Sequence, residues 1–205
     1  TVGARLTADA RVQGVMFTGS TEVARILQKT LAQRLDAHGL PVTLVAETGG
    51  QNAMIVDSSA LAEQVVVDVL SSAFDSAGQR CSALRVLCVQ EEAADRLFHM
   101  LRGAMQELNL GNPAQLKTDV GPVIDAEAKG IIDRHIAQMQ SNGHQVVQGA
   151  ATAAAGTFVP PTVIAIKQLS ELKREVFGPV LHILRYKREN LKQLVADINA
   201  TGYAL

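Results

Sequence analysis

VQGVMFTGSTEVARILQKTLAQRLDAHGLPVTLVAETGG, residues 12–50, decides the fold. Residues 12–17 read as a buried strand, Thr18-Gly19-Ser20 as a turn, and residues 21–35 as an amphipathic helix. Gly39-Leu40-Pro41 then introduces a second strand at residues 42–46. A strand, a helix and a strand in succession build a parallel sheet, so the predicted class is α/β.

Working outward, the same alternation continues. Strands are predicted at residues 53–56, 85–89, 145–148, 162–166 and 180–186. Helices are predicted from N-caps at Ser58 and Ser59 to residue 75, over 91–108, over 126–139 and over 189–199. Gly111-Asn112-Pro113 stops the second of these. Residues 150–156, AATAAAG, read as a surface loop of small residues. There is no internal repeat.

Composition narrows the function. The 205 residues carry a formal net charge of −1, which gives no electrostatic reason to expect nucleic acid or an anionic membrane as partner. The apolar stretches are strand-sized, so no membrane span is expected. Residues 1–11 lack the basic start and apolar core of a signal peptide. Two cysteines do not make a disulfide framework, which fits a reducing cytosol. The absence of Trp and the presence of only two Tyr argue against a base-stacking platform.

Four short units carry chemistry. Thr18-Gly19-Ser20 at a strand-to-helix turn lets backbone N–H groups and a helix N-terminus approach a phosphate, though a Ser-capped glycine turn also starts many ordinary helices. It lacks the GxGxxG spacing of a dinucleotide fingerprint. Glu47-Thr48-Gly49-Gly50 puts a carboxylate at a strand's C-terminal end, where α/β folds place chemistry. Partial burial there would raise its pKa and suit it to general-base work; alone, it also reads as a solvated loop Glu. Ser76-Ala77-Gly78-Gln79-Arg80-Cys81-Ser82 offers a nucleophilic thiol with access, a neighbouring positive charge and backbone donors. Cys88, inside Val86-Leu87-Cys88-Val89, reads as a small buried hydrophobe. Glu175-Val176-Phe177-Gly178-Pro179 marks a rigid turn before a strand. The five histidines, His38, His99, His135, His144 and His182, show no metal-ligand spacing and are expected on surfaces or helix faces.

Together these units resemble the aldehyde dehydrogenase superfamily. FTGSTEVARIL resembles its cofactor-phosphate turn, ETGG its general-base motif, GQRC its nucleophile motif and EVFGPV its ribose-contacting motif. The order matches, with Glu47 and Cys81 34 positions apart. LGNP (residues 110–113), Gly121-Pro122 and PPTVI (residues 160–164) also recur in that family.

The resemblance implies an NAD(P)-dependent enzyme in which Cys81 attacks an aldehyde, passes through a thiohemiacetal to a thioester, and is released by water activated by Glu47. The Cys81 N–H would supply half of the oxyanion hole. Thr18, Gly19, Ser20 and Gly49 would face the cofactor, Glu175 its nicotinamide ribose and Phe177 the neighbourhood of its ring. Thr48 and Gln51 replace the Leu and Lys usual in the superfamily. ETGGQNAMIVDSSA with GQRCSALR is similar to the dehydrogenase domain of bacterial bifunctional proline-utilisation proteins, which oxidise L-glutamate γ-semialdehyde. There Ser82 would hold the substrate carboxylate, beside Arg80.

The resemblance further implies residues 1–50 as the end of a Rossmann-type cofactor domain and 51–205 as most of a catalytic domain. It implies further chain on both sides, a cytoplasmic homo-oligomer and a possible fusion to a proline dehydrogenase. Two other classes compete. A cysteine acyl-transferase or hydrolase using Cys81 and Glu47 would need neither Gly19-Ser20 nor Glu175-Phe177. A non-catalytic domain would need neither Cys81 nor Glu47.

Overall fold

The computed structural model describes residues 1–151 and 155–203, so the central part of the predicted loop at 150–156 lies outside the described residues. The chain divides into two compact units, Thr1–Gly49 and Gly50–Leu205.

The first unit holds α1 (Val2–Ala8), β1 (Gly14–Thr18), α2 (Thr21–Leu31) and β2 (Thr43–Glu47). β1 and β2 run parallel, with Thr18 opposite Glu47. Ser20 caps α2, its hydroxyl accepting the Val23 N–H at 3.2 Å, one of the donors a helix start leaves orphaned. The helix ends at Leu31, short of the predicted residue 35. Arg34 instead donates to the carbonyls of Thr7 at 3.1 Å and Val12 at 2.6 Å, tying the segment before β1 to the end of α2. α1 was not predicted; Thr1 caps it through a weak 3.4 Å bond from Ala4.

The second unit is a five-stranded sheet. Its strands are β3 (Ala53–Val56), β4 (Val86–Gln90), β5 (Val146–Gln148), β6 (Thr162–Ile166) and β7 (Val180–Tyr186), in spatial order β3-β4-β7-β6-β5. All neighbours are parallel except the edge pair β5–β6. β4 and β7 lie at the centre, and every residue of β4 is buried. A strand covered on both faces must be apolar throughout rather than alternating, which is why VLCV and VLHIL read as continuous runs.

The α-helices of the unit's described residues are α3 (Ala62–Phe74), α4 (Glu91–Gln106), α5 (Ala126–Ser141) and α6 (Leu191–Ala200). α3 and α4 pack on each other, and Val69, Phe74, Leu97, Leu101 and Met105 join the core with β4 and β7. α3 starts at Ala62, not at the predicted serine caps. Ser59 is engaged by Asp57, which accepts its N–H at 2.9 Å and its hydroxyl at 2.7 Å in an Asx-type turn.

His182 corrects the expectation of surface histidines. It sits on β7, 2% exposed, with its Nδ1 3.3 Å from the Arg85 carbonyl and its Nε2 2.8 Å from Nε2 of His135 on α5. A strand buried on both faces leaves its imidazole no outward side. Burial first, then the charge of His135, pushes its pKa down to about 3.

Candidate active site

Within the first unit, the sequence-predicted site residues gather at the carboxyl end of the β1–β2 pair. The parallel register sets Thr18 beside Glu47, and the Gly19 N–H donates to the Glu47 carbonyl at 3.0 Å. Thr18, Gly19 and Ser20 are exposed at the opening of α2, so small residues lie at a helix N-terminus. Gly49 is half-buried in the irregular link after β2. Glu47, the last residue of β2, is exposed.

In the second unit, the predicted interruption at Gly78–Cys81 takes a specific form. Ser76, Ala77 and Gly78 adopt left-handed backbone in succession, with φ of 57°, 52° and 64°. L-residues pay steric strain there, so Ser76 and Ala77 are held by their surroundings. Gly78 is obligatory on a second count: a Cβ would overlap the Gly178 carbonyl, so the Gly78–Cys81 segment and the EVFGP segment touch backbone to backbone. Gln79 extends the clamp. Its amide oxygen accepts the Ile124 N–H at 2.8 Å, and its amide nitrogen donates to the Pro122 carbonyl at 3.4 Å.

This turn presents Cys81 to solvent, while Cys88 is fully buried opposite Leu184 on β7. Burial pushes the Cys88 thiol up to about 12, so it is protonated and inert at neutral pH.

Two residues that the sequence reading passed over hold the segment from inside. Asn52 donates to the carbonyl of Cys81 at 2.7 Å and of Ala83 at 2.9 Å. Gly50 leaves room for this, since a Cβ there would stand 2.7 Å from the Cys81 carbonyl. Arg85, 1% exposed, donates to the carbonyl of Arg80 at 3.1 Å and to the carboxylate of Glu175 at 2.9 and 3.1 Å. It also donates to the Gly178 carbonyl at 3.1 Å, and its guanidinium carbon stands 5.2 Å from the Phe177 ring centre. The available signal was a cation heading a strand-sized apolar run, which must find acceptors when buried.

Glu175 and Phe177 are therefore brought to the Cys81 segment through Arg85. Burial pushes the Glu175 carboxyl above the usual range, opposed by the Arg85 charge and by a backbone hydrogen bond from Gly50. The Tyr203 hydroxyl accepts the Glu175 N–H at 3.1 Å. Phe177 stays 45% exposed.

Ser82 is exposed and lines an open cleft with Met54, Asp68, Ser71, Ser72 and Arg80. Arg80 turns its guanidinium to the end of α3, donating to the carbonyls of Ser71 at 2.9 Å and Ser72 at 3.2 Å. Those carbonyls also accept the Asp75 and Leu84 N–H groups, and a cation suits the negative end of the helix dipole. Among the described residues, no cluster of His, Cys, Asp and Glu is arranged to hold a metal ion, and no helix is long and apolar enough to cross a membrane.

The family model described as "Aldehyde dehydrogenase family" matches residues 1–205, and the chain belongs to that family. It is 63% identical over its whole length to the bifunctional protein PutA of Escherichia coli and 62% identical to that of Salmonella typhimurium, spanning 16% of the length of each. Its identity to the glutarate-semialdehyde dehydrogenase of Pseudomonas aeruginosa is 34%, over 41% of that protein. A crystal structure of bifunctional proline utilization A superposes over the whole chain with a TM-score of 0.93 at 51% identity, covering 20% of that structure. A betaine aldehyde dehydrogenase from Staphylococcus aureus in complex with NAD+ superposes over 97% of the chain and 39% of its own, with a TM-score of 0.87 at 28% identity.

Proposed function

We propose that this chain supplies the nucleophile and general base of an NAD(P)-dependent dehydrogenase oxidising L-glutamate γ-semialdehyde to glutamate in bacterial proline catabolism. We further propose that it acts within a longer cytoplasmic, homo-oligomeric polypeptide that also carries a proline dehydrogenase domain. The observation that carries the enzymatic reading is the contrast between the cysteines. Cys81 is exposed just after a strained turn, its own carbonyl held by Asn52 and that of Arg80 by the buried Arg85, while Cys88 is sealed in the sheet. The substrate assignment is supported by the much higher identity to PutA than to the glutarate-semialdehyde enzyme.

The Cys81 thiolate adds to the aldehyde carbon, and the Cys81 N–H takes the oxyanion of the resulting thiohemiacetal. Exposed small residues at the start of α2 fit a pyrophosphate, so Thr18, Gly19, Ser20 and Gly49 would hold NAD(P) at that end, with Glu175 and Phe177 at its nicotinamide end. When bound, NAD(P) would supply the acceptor for the hydride leaving the substrate carbon. The Cys81 thioester that remains is hydrolysed by water, whose proton Glu47 accepts as the C–S bond breaks. The Ser82 hydroxyl, with Arg80 beside it, is the donor side for the substrate carboxylate.

In the full-length enzyme, Cys81→Ala is expected to abolish aldehyde oxidation, while Cys88→Ala keeps most of it. A hydrogen bond to a charged group is worth about 1.5–3 kcal/mol, so Ser82→Ala lowers kcat/KM for glutamate γ-semialdehyde by roughly 10- to 100-fold. Propanal, which lacks the carboxylate, loses much less. Near-normal turnover by the Cys81 variant would refute the mechanism, and equal losses on both aldehydes would remove Ser82 as anchor.

A further inference from the structure

We infer that Arg85 is a positioning residue that sets the direction of the Cys81 N–H and the pose of Glu175 in one stroke. The inference rests on the roles proposed for Cys81 and Glu175.

The side chain starts from a fixed backbone. The Arg85 N–H donates to the Asn52 carbonyl at 3.0 Å, and its own carbonyl accepts the His182 N–H at 2.9 Å. Its stem therefore leaves a backbone held on one side by Asn52, just before β3, and on the other by β7. The planar fork then spans three acceptors on two segments: the Arg80 carbonyl, the Gly178 carbonyl and Oε1 of Glu175.

The Arg80 carbonyl is the decisive acceptor. It belongs to the peptide unit whose other end is the Cys81 N–H. The unit is planar and trans, so C=O and N–H point in opposite directions. The same carbonyl accepts the Ala83 N–H at 3.1 Å, which closes the turn, and the bond from Arg85 aims the Cys81 N–H away from the buried guanidinium. Asn52 does the same for the following unit by holding the Cys81 carbonyl. Both peptide planes flanking the nucleophile are thus fixed from the interior.

The same guanidinium holds Glu175 and compensates the charge that burial disfavours. Replacing a buried ion pair by apolar packing is often no loss in stability, so such a pair is better explained by the geometry it enforces. A lysine brings charge without a planar fork and cannot reach all three acceptors together.

The test uses the full-length enzyme with Arg85→Lys and Arg85→Met. Active sites are counted by alkylation of Cys81, NAD binding is measured by calorimetry, and kcat is expressed per counted site. One lost oxyanion donor costs roughly 10²–10³ in rate. Arg85→Lys should therefore lower kcat per site by about 100-fold while the aldehyde KM stays within about threefold. NAD binding should weaken about 10-fold as Glu175 is released, and adding Glu175→Gln to Arg85→Lys should cost less than it does alone. Fewer counted sites, each with normal kcat and normal NAD affinity, would reduce Arg85 to a structural role and overturn the inference. Should both Arg85 variants fail to fold, Glu175→Ala reads the coupling from the other end. Lowered kcat per site at saturating NAD supports it, and loss of NAD affinity alone contradicts it. A wild-type enzyme that binds no NAD, or a Cys81→Ala variant that still turns over, would instead sink the proposed function itself.

Discussion

Burial in the central strands decides which thiol and which imidazole can take part in chemistry. With the Cys88 thiol pushed up to about 12 and Cys81 open to solvent, iodoacetamide should modify Cys81 alone in the native protein. Peptide mapping checks this, and modification of native Cys88 at a comparable rate would contradict it. His182 gives a pH-dependent prediction. Its unfolded imidazole titrates near 6.5 and its folded one near 3, so between these values the unfolded state binds a proton that the folded state refuses. Stability therefore falls as pH drops through that window, by at most about 1.4 kcal/mol per pH unit from this group. Urea denaturation from pH 8 to pH 5 should show this decline, shallower in His182→Leu, where only the partly buried His135 remains of the pair. The contrast between the cysteines was legible in the sequence because apolar neighbours on both sides of Cys88 announce a buried strand. Arg85 and His182 were not legible, since their partners on Glu175 and α5 are distant in sequence and meet only through the sheet order.

The strands at 53–56, 162–166 and 180–186 were readable to the residue, because each is a short run of apolar and β-branched residues that pairs in the sheet. Helix starts were less readable. Ser58 and Ser59 look like caps, but Asp57 captures Ser59 locally, a competition visible only in three dimensions. The left-handed turn before Cys81 was likewise hidden, because Ser76 and Ala77 have no intrinsic preference for that backbone. It yields an asymmetric prediction. Gly78→Ala adds a methyl against the Gly178 carbonyl at positive φ and should destabilise by roughly 3 kcal/mol or more. Ala77→Gly relieves about 1 kcal/mol of strain, offset by a similar gain in unfolded-chain entropy, so it should be close to neutral. Thermal unfolding of the two variants checks this, and equal effects would contradict the strained-turn account.

Across the whole chain, apolar exposure is uneven. Met16, Ile26 and Val45 of the first unit are exposed on its strands and helix, at 87%, 62% and 46%, whereas the central strands of the second unit are sealed. Exposed apolar groups of this size favour association. Residues 1–205 prepared alone should therefore sediment as oligomers and should not produce NAD(P)H above a Cys81→Ala control. A monodisperse, active preparation would contradict that. The central claim, that Cys81 carries the acyl group and Glu47 releases it, is tested most directly by trapping the acyl-enzyme in the full-length Glu47→Gln variant. Mixed with NAD and glutamate γ-semialdehyde, it should give a burst of about one NADH per site, then very slow turnover. Mass spectrometry of the quenched, digested protein should find the acyl adduct on the peptide bearing Cys81. Undiminished steady turnover without an adduct, or an adduct on any other residue, would contradict the account.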